Sequence, residues 1–167
     1  MAAGSTYTPI ATNTLSSATN SVSFTSISGS YTDIIVVFNG AASTSGVTAS
    51  VAFNSDSGTN YSVTYLYGNG SSAGSGRFSS ATKMFLGFIQ VGMGTAFDAN
   101  FIAHVQNYSN STTYKTVVAR SNVASQETEA AVGLWRSTSA ITSMTFTTNT
   151  GNFASGSTFT LYGITAA

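Results

Sequence analysis

Hydrophobic residues alternate with Ser and Thr over short stretches of this chain, most clearly between residues 141 and 164. Met144 and Phe146 alternate with threonines there, and Phe159 and Leu161 do so again further on. Strict alternation over so few residues is typical of half-buried β-strands. The residues between the two runs favour turns, and they include Asn149, Gly151, Asn152 and Gly156. This stretch therefore predicts two strands, the second of them inside a sheet.

The same alternation recurs through the rest of the chain. Further strands are predicted near residues 21–24, 31–39, 47–53, 61–67, 84–91, 101–108, 113–120 and 127–136. The run Ile34–Phe38 holds five consecutive apolar residues, which is typical of a strand covered on both faces. About nine or ten turn-bounded strands without a helical stripe predict an all-β fold, a two-sheet antiparallel β-sandwich of jelly-roll type. The predicted core consists of Phe24, Val36, Phe38, Val105, Val118, Leu134, Phe146, Phe159 and Leu161, with Trp135 as an anchor.

Residues 1–20 are small and polar and are predicted to form an extended N-terminal arm, followed by a β-sandwich domain over residues 21–167. A terminal segment frays unless something ties it down. Alternatively, the arm becomes ordered on a neighbouring subunit by adding to the edge of its sheet. The side chains that would contact the neighbour are Tyr7, Pro9, Ile10 and Leu15.

Three tyrosines of one parity precede a stretch rich in Gly and Ser. Tyr61, Tyr65 and Tyr67 share one face of a predicted strand, and residues 68–76, GNGSSAGSG, are predicted to form a flexible loop. Tyrosines beside a loop can contact sugars or proteins. They can equally cover the edge of the core, and the sequence leaves both interpretations open.

The amino-acid composition narrows the range of possible functions. Charged residues make up 6% of the chain and the formal net charge is zero, whereas about a quarter of the residues of an average domain are charged. Near-zero net charge promotes association, so we expect a homo-oligomer or a larger assembly. The five basic residues are scattered, which disfavours a nucleic-acid partner. There is no cysteine, no run long enough for a membrane span and no signal-peptide pattern, so we expect synthesis in a cytoplasm.

The polar residues do not form a recognisable catalytic pattern. His104 is the only histidine, and we expect it to be hydrogen-bonded and structural. Glu127 and Glu129 share a strand face and are expected in solvent, and nothing places a second carboxylate opposite them as glycoside hydrolysis requires. The segment 54–60 has the spacing of a calcium loop but one carboxylate, Asp56, so we expect an Asx turn. We therefore predict no catalytic, cofactor or metal site and no enzymatic activity.

Several blocks of the sequence together carry a resemblance. They are SVSFTSISGSYTDIIVVFNG at 21–40, FNSDSGTNYSVTYLYGNG at 53–70, NYSNSTTYKTVVAR at 107–120, VGLWRSTSAITSMTF at 132–146 and FASGSTFTLYGI at 153–164. The chain resembles small β-rich virion proteins and fibre-terminal domains of tailed bacteriophages, many of them from aquatic hosts such as cyanobacteria.

This resemblance implies a structural or adhesive part of a phage particle, in contact with the major capsid protein or with tail proteins. The first interpretation is a capsid decoration, or cement, protein bound to the head shell. The second is the receptor-binding tip of a tail fibre, which would hold a host glycan with its tyrosine-bearing loops. The absence of a fibre shaft or coiled-coil heptads favours the first interpretation.

Overall fold

Residues 6–165 are described by a computed structural model, and within this range the chain forms twelve β-strands and no helix. The strands are β1 (Tyr7–Thr14), β2 (Ser21–Phe24), β3 (Asp33–Gly40), β4 (Ala49–Phe53), β5 (Tyr61–Gly68), β6 (Ala73–Ala81), β7 (Met84–Gly87), β8 (Ala99–Gln106), β9 (Lys115–Val123), β10 (Glu127–Trp135), β11 (Met144–Thr148) and β12 (Thr158–Ile164). In the described range there is accordingly no helix of the length and apolarity needed to cross a membrane.

The strands form two antiparallel sheets. The larger has eight strands in the order β1-β12-β3-β8-β9-β10-β5-β6, and the smaller has four in the order β2-β11-β4-β7. The predicted all-β, two-sheet antiparallel sandwich is confirmed, and β12 lies inside its sheet as expected. A jelly roll has eight strands arranged as two Greek keys, and the jelly-roll part of the prediction is not confirmed by this eight-plus-four arrangement.

The core lies between the inner faces of the two sheets and is rich in aromatic rings. Phe159 lies at its centre, with ring centroids 4.7 Å from Phe38 and 5.3 Å from Phe146 of the smaller sheet. Seven of the nine predicted core residues are buried, as is Trp135. The prediction was wrong for Val118, which is 44% exposed, and for Leu134, which is half-buried. In both strands a neighbour of opposite parity, Val117 or Trp135, points inwards instead.

The predicted N-terminal arm is part of the sandwich. Strand β1 pairs with β12 from Tyr7↔Ile164 to Thr14↔Thr158, so it is an edge strand of the larger sheet of its own chain. The Leu15 amide then donates to the Ser157 carbonyl at 2.9 Å. The predicted boundary at residue 20 is therefore wrong for the described part of the segment. Residues 1–5 of the predicted arm and 166–167 of the predicted domain lie outside the described residues.

The predicted flexible loop at 68–76 is also partly wrong. The chain turns at residues 69–72 and returns as strand β6, which pairs with β5 and forms the other edge of the larger sheet. Glycine is a poor strand former in isolation. Cross-strand contacts with the tyrosines of β5 stabilise the pairing here, as described below.

Candidate functional site

The outer face of the larger sheet is the main candidate for a functional surface. The inner face packs on the smaller sheet, and alternate residues of each strand point the other way. In β9, for example, Val117 and Ala119 are buried, whereas Val118 and Arg120 are exposed. Outward side chains of β5, β8, β9 and β10 are exposed, and we call this outer face the open face.

The open face collects most of the exposed apolar side chains. Seven large hydrophobic residues are exposed in the described part of the chain, and five of them lie on this one surface. These five are Tyr7, Leu66, Ile102, Val118 and Val132. Scattered exposed hydrophobic residues are normal in proteins, but a contiguous patch marks an interaction surface. Their concentration on one face therefore makes the open face a candidate interaction surface.

Two shallow grooves lie side by side on the open face. The first has a volume of about 480 Å³ and is lined by Tyr7, Ile35, Val37, Ile102, His104, Val118, Arg120 and Tyr162. The second has a volume of about 350 Å³ and runs over β5, β9 and β10, with Ser75 of β6 at its edge. Both grooves share Val118 and Arg120, so these residues lie where the grooves meet.

A histidine–aspartate pair borders the first groove. His104 Nε2 lies 2.8 Å from Asp33 Oδ2, and the Asn107 amide donates to Asp33 Oδ1 at 2.7 Å. Both carboxylate oxygens are thus occupied, and the imidazole is held in place. The prediction that His104 is hydrogen-bonded is confirmed.

Arg120 is the charged group at the centre of the open face. It lies on β9, opposite Ile102 of β8 and Ala130 of β10, and its residue is exposed. Within residues 6–165 its guanidinium has no hydrogen bond and no ion pair. No signal in the sequence distinguishes Arg120, because an arginine in an alternating strand looks like any solvated outward position.

The tyrosines predicted as contact residues point towards the core. Tyr61 is fully buried, Tyr65 is buried and Tyr67 is half-buried. Tyr65 and Tyr67 lie across β6 over Gly76 and Gly74, where an added Cβ would come within 2.5 Å and 2.8 Å of the respective hydroxyl oxygens. An aromatic ring over a cross-strand glycine stabilises the pair of strands. These rings therefore cover the core edge, and the contact prediction is wrong for Tyr61 and Tyr65.

The four N-terminal residues predicted to contact a neighbouring subunit also divide into buried and exposed side chains. Leu15 is buried in the core and is not a contact residue, which corrects that prediction. Ile10 is half-buried, whereas Pro9 and Tyr7 are exposed on edge strand β1. The Tyr7 ring packs edge-on against Tyr162 at 6.3 Å between centroids, at one end of the first groove.

The two glutamates expected in solvent are buried between the sheets. Glu129 Oε1 accepts hydrogen bonds from the amides of Ile89 at 2.9 Å and Gln90 at 3.1 Å. Glu127 Oε2 accepts one from the amide of Val91 at 3.1 Å. Burial raises the pKa of both carboxyl groups, and the charge of Glu129 raises that of Glu127 further. The pair holds the segment after β7, and the sequence could not show this because the partners lie in that loop, far from both glutamates along the chain.

The loop with calcium-like spacing is an Asx turn, as predicted. Asp56 Oδ1 accepts from the Gly58 amide at 2.8 Å, and Oδ2 accepts from Asn60 Nδ2 at 2.9 Å and from Trp135 Nε1 at 2.7 Å. The carboxylate is surrounded by donors, which fits a turn and not a cation. The hydrogen bond from Trp135, followed by that from Asn60, lowers the pKa of Asp56. Residues 6–165 contain no group of three or more His, Asp or Glu side chains arranged for a metal ion.

Comparisons with known proteins identify no family for this chain. No family model matches it, and no curated protein does. Among solved structures, domains LG4-5 of the mouse laminin alpha1 chain share 11% identity at a TM-score of 0.32. That match covers 90% of this chain, which spans 40% of the laminin chain. A protein of unknown function from Shewanella oneidensis shares 9% identity at a TM-score of 0.23, with 96% and 77% of the two chains covered. At these TM-scores neither structure bears on the function.

Proposed function

We propose that this chain is a non-enzymatic structural protein of a tailed-bacteriophage particle, a decoration protein that attaches to the head shell through its open face. The observation that carries the proposal is the concentration of exposed apolar side chains on one face of a nearly uncharged chain. Such a surface is stabilised when another protein covers it, because burial removes apolar area from water. The resemblance to virion proteins supplies the setting.

The sequence pattern of β3 supports a cover on this face. The apolar run Ile34–Phe38 is typical of a strand with protein on both sides. Ile34, Val36 and Phe38 are buried against the smaller sheet, but Ile35 and Val37 are half-buried and line the first groove. The chain itself covers one face of this central strand, and the proposed partner covers the other.

The size of the open face suits a stable attachment. Eight strands about 4.8 Å apart, each about 26 Å long, span roughly 900 Å². Stable interfaces bury about 800 Å² on each partner. Self-association around a symmetry axis of the particle is part of the proposal, and the two edge strands β1 and β6 are available for it.

The proposal is tested by locating the chain. We expect mass spectrometry of purified particles of the encoding phage to detect it, and antibodies against it to label heads in electron micrographs. Label restricted to tail tips would favour the alternative, a receptor-binding fibre tip that holds a host glycan. Absence of the chain from the particles would refute both. The buried positions of Tyr61 and Tyr65 leave the alternative without two of the residues on which it depended.

The role of the open face is tested by substitution. Val132→Glu and Leu66→Glu place a charge at exposed positions of this face, and we expect attachment to particles to fall at least tenfold with little change in folding. Ser21→Glu is the matched control, because Ser21 is exposed on the outer side of the smaller sheet. Equal attachment of all three variants would show that another surface carries the contact.

A further inference from the structure

The open face carries two arginine side chains that contact no carboxylate of the described residues. Its acidic and basic residues in the described range are Asp33, His104, Arg120 and, at the β6 edge, Arg77 opposite Thr64. Asp33 is engaged by His104 and by a backbone amide, as described above. Neither arginine side chain makes a hydrogen bond or an ion pair with the described residues. The face is therefore apolar with an uncompensated cation near its middle.

A partner that covers this face must provide hydrogen-bond acceptors for the guanidinium of Arg120. A guanidinium buried in an apolar interface without a partner loses its hydration and gains nothing in return. A carboxylate placed against it supplies two parallel hydrogen bonds in a geometry that the planar guanidinium fits. Arg120 lines both grooves, so an acidic side chain lying at their junction reaches it while apolar neighbours fill the grooves on either side.

The same charge disfavours a second copy as the occupant. Strand β9 is the fifth of eight, and Arg120 lies near the middle of it. A two-fold axis through the centre of the face would bring the arginines of two copies close together, and like charges in a desolvated interface repel. A different protein can place a carboxylate at that point, whereas a second copy of this face offers only Asp33, which is already engaged.

We propose that the open face docks on a different protein whose apolar surface presents one carboxylate to Arg120, and that this ion pair determines which partner is accepted. The inference rests on the proposed function for its setting, but its chemistry can be tested apart from any particle. Val118 and Ile102 provide the apolar surface around the ion pair, and Arg120 determines the specificity for an acidic partner.

The direct test uses three blocked heptapeptides with alternating Val and Thr that differ at the central residue, which is Glu, Gln or Lys. Each is titrated into the isotope-labelled protein and followed by nuclear magnetic resonance. We expect the Glu peptide to shift the amide signals of β8 and β9 and to bind at least tenfold more tightly than the Gln peptide. Arg120→Gln should abolish this preference and Arg120→Glu should transfer it to the Lys peptide, with unchanged melting temperatures, because the residue is exposed.

Arg77→Gln is the matched control, since Arg77 lies on the same face at its far edge and should leave the preference intact. Equal binding of the three peptides, no binding of any, or a preference that survives Arg120→Gln would overturn the inference. A second arm adds wild-type and Arg120→Gln protein to particles made without the chain. Equal occupancy would overturn the inference and leave the decoration role standing. A clear peptide preference with no wild-type attachment would support the inference and refute the decoration role.

Discussion

The phenylalanine cluster between the sheets provides a direct test of the packing. Phe159→Ala removes a fully buried ring whose centroid lies 4.7 Å from Phe38, 5.0 Å from Phe153 and 5.3 Å from Phe146. Truncating a buried phenylalanine costs about 3–5 kcal/mol through lost transfer free energy and an unfilled cavity. Because the ring packs against these three rings and also against Phe101, with centroids 6.3 Å apart, and joins both sheets, we expect the upper part of that range, about 4–5 kcal/mol.

Urea unfolding followed by the fluorescence of the buried Trp135 measures this change. A loss of this size lowers the melting temperature by roughly 8–20 °C in a domain of this length. Phe97→Ala is the matched control, because Phe97 is 62% exposed and its truncation should cost below about 1 kcal/mol. A cost below about 1 kcal/mol for Phe159→Ala, or equal costs for both variants, would refute the assignment of Phe159 to the centre of the core.

Three further predictions concern other parts of the sandwich. Asp56→Ala leaves the buried Trp135 indole N–H without its acceptor and should cost about 1–3 kcal/mol in denaturant titration, whereas Asp56→Asn, which keeps an acceptor, should cost less. Burial raises the pKa values of Glu127 and Glu129 above the ordinary value of 4.5. Their contribution to stability is therefore fully present below about pH 4.5, where both are protonated, and is lost as the pH rises through the raised values. The free energy of unfolding should accordingly increase as the pH falls from neutrality towards 4.5. Replacing both glutamates with glutamine should flatten the dependence of stability on pH. An unchanged dependence would contradict the burial of the two carboxyl groups. Removing residues 1–16 deletes β1 and should lower stability by at least about 2 kcal/mol, whereas unchanged melting would restore the interpretation of a separate arm.

The strands that the sequence predicted well are those with a strong alternation of apolar and polar residues. Strands β3, β8, β10 and β12 lie where the pattern placed them, within a few residues. The pattern missed β1 and β6, in which small and polar residues predominate. These two edge strands form because they pair with β12 and β5, and their own residues have little preference for strand structure.

The sequence by itself determined that this is an all-β sandwich without cysteine chemistry and with very little charge, because period-two alternation and composition are local properties. Only the tertiary structure decided which of two adjacent valines, Val117 or Val118, points inwards, because shifting the register by one residue exchanges the two faces. It also decided that Glu127 is buried and that the Arg120 side chain has no hydrogen bond or ion pair with the described residues. Those assignments depend on the strands and loops that pack nearby in space, and these are distant in sequence.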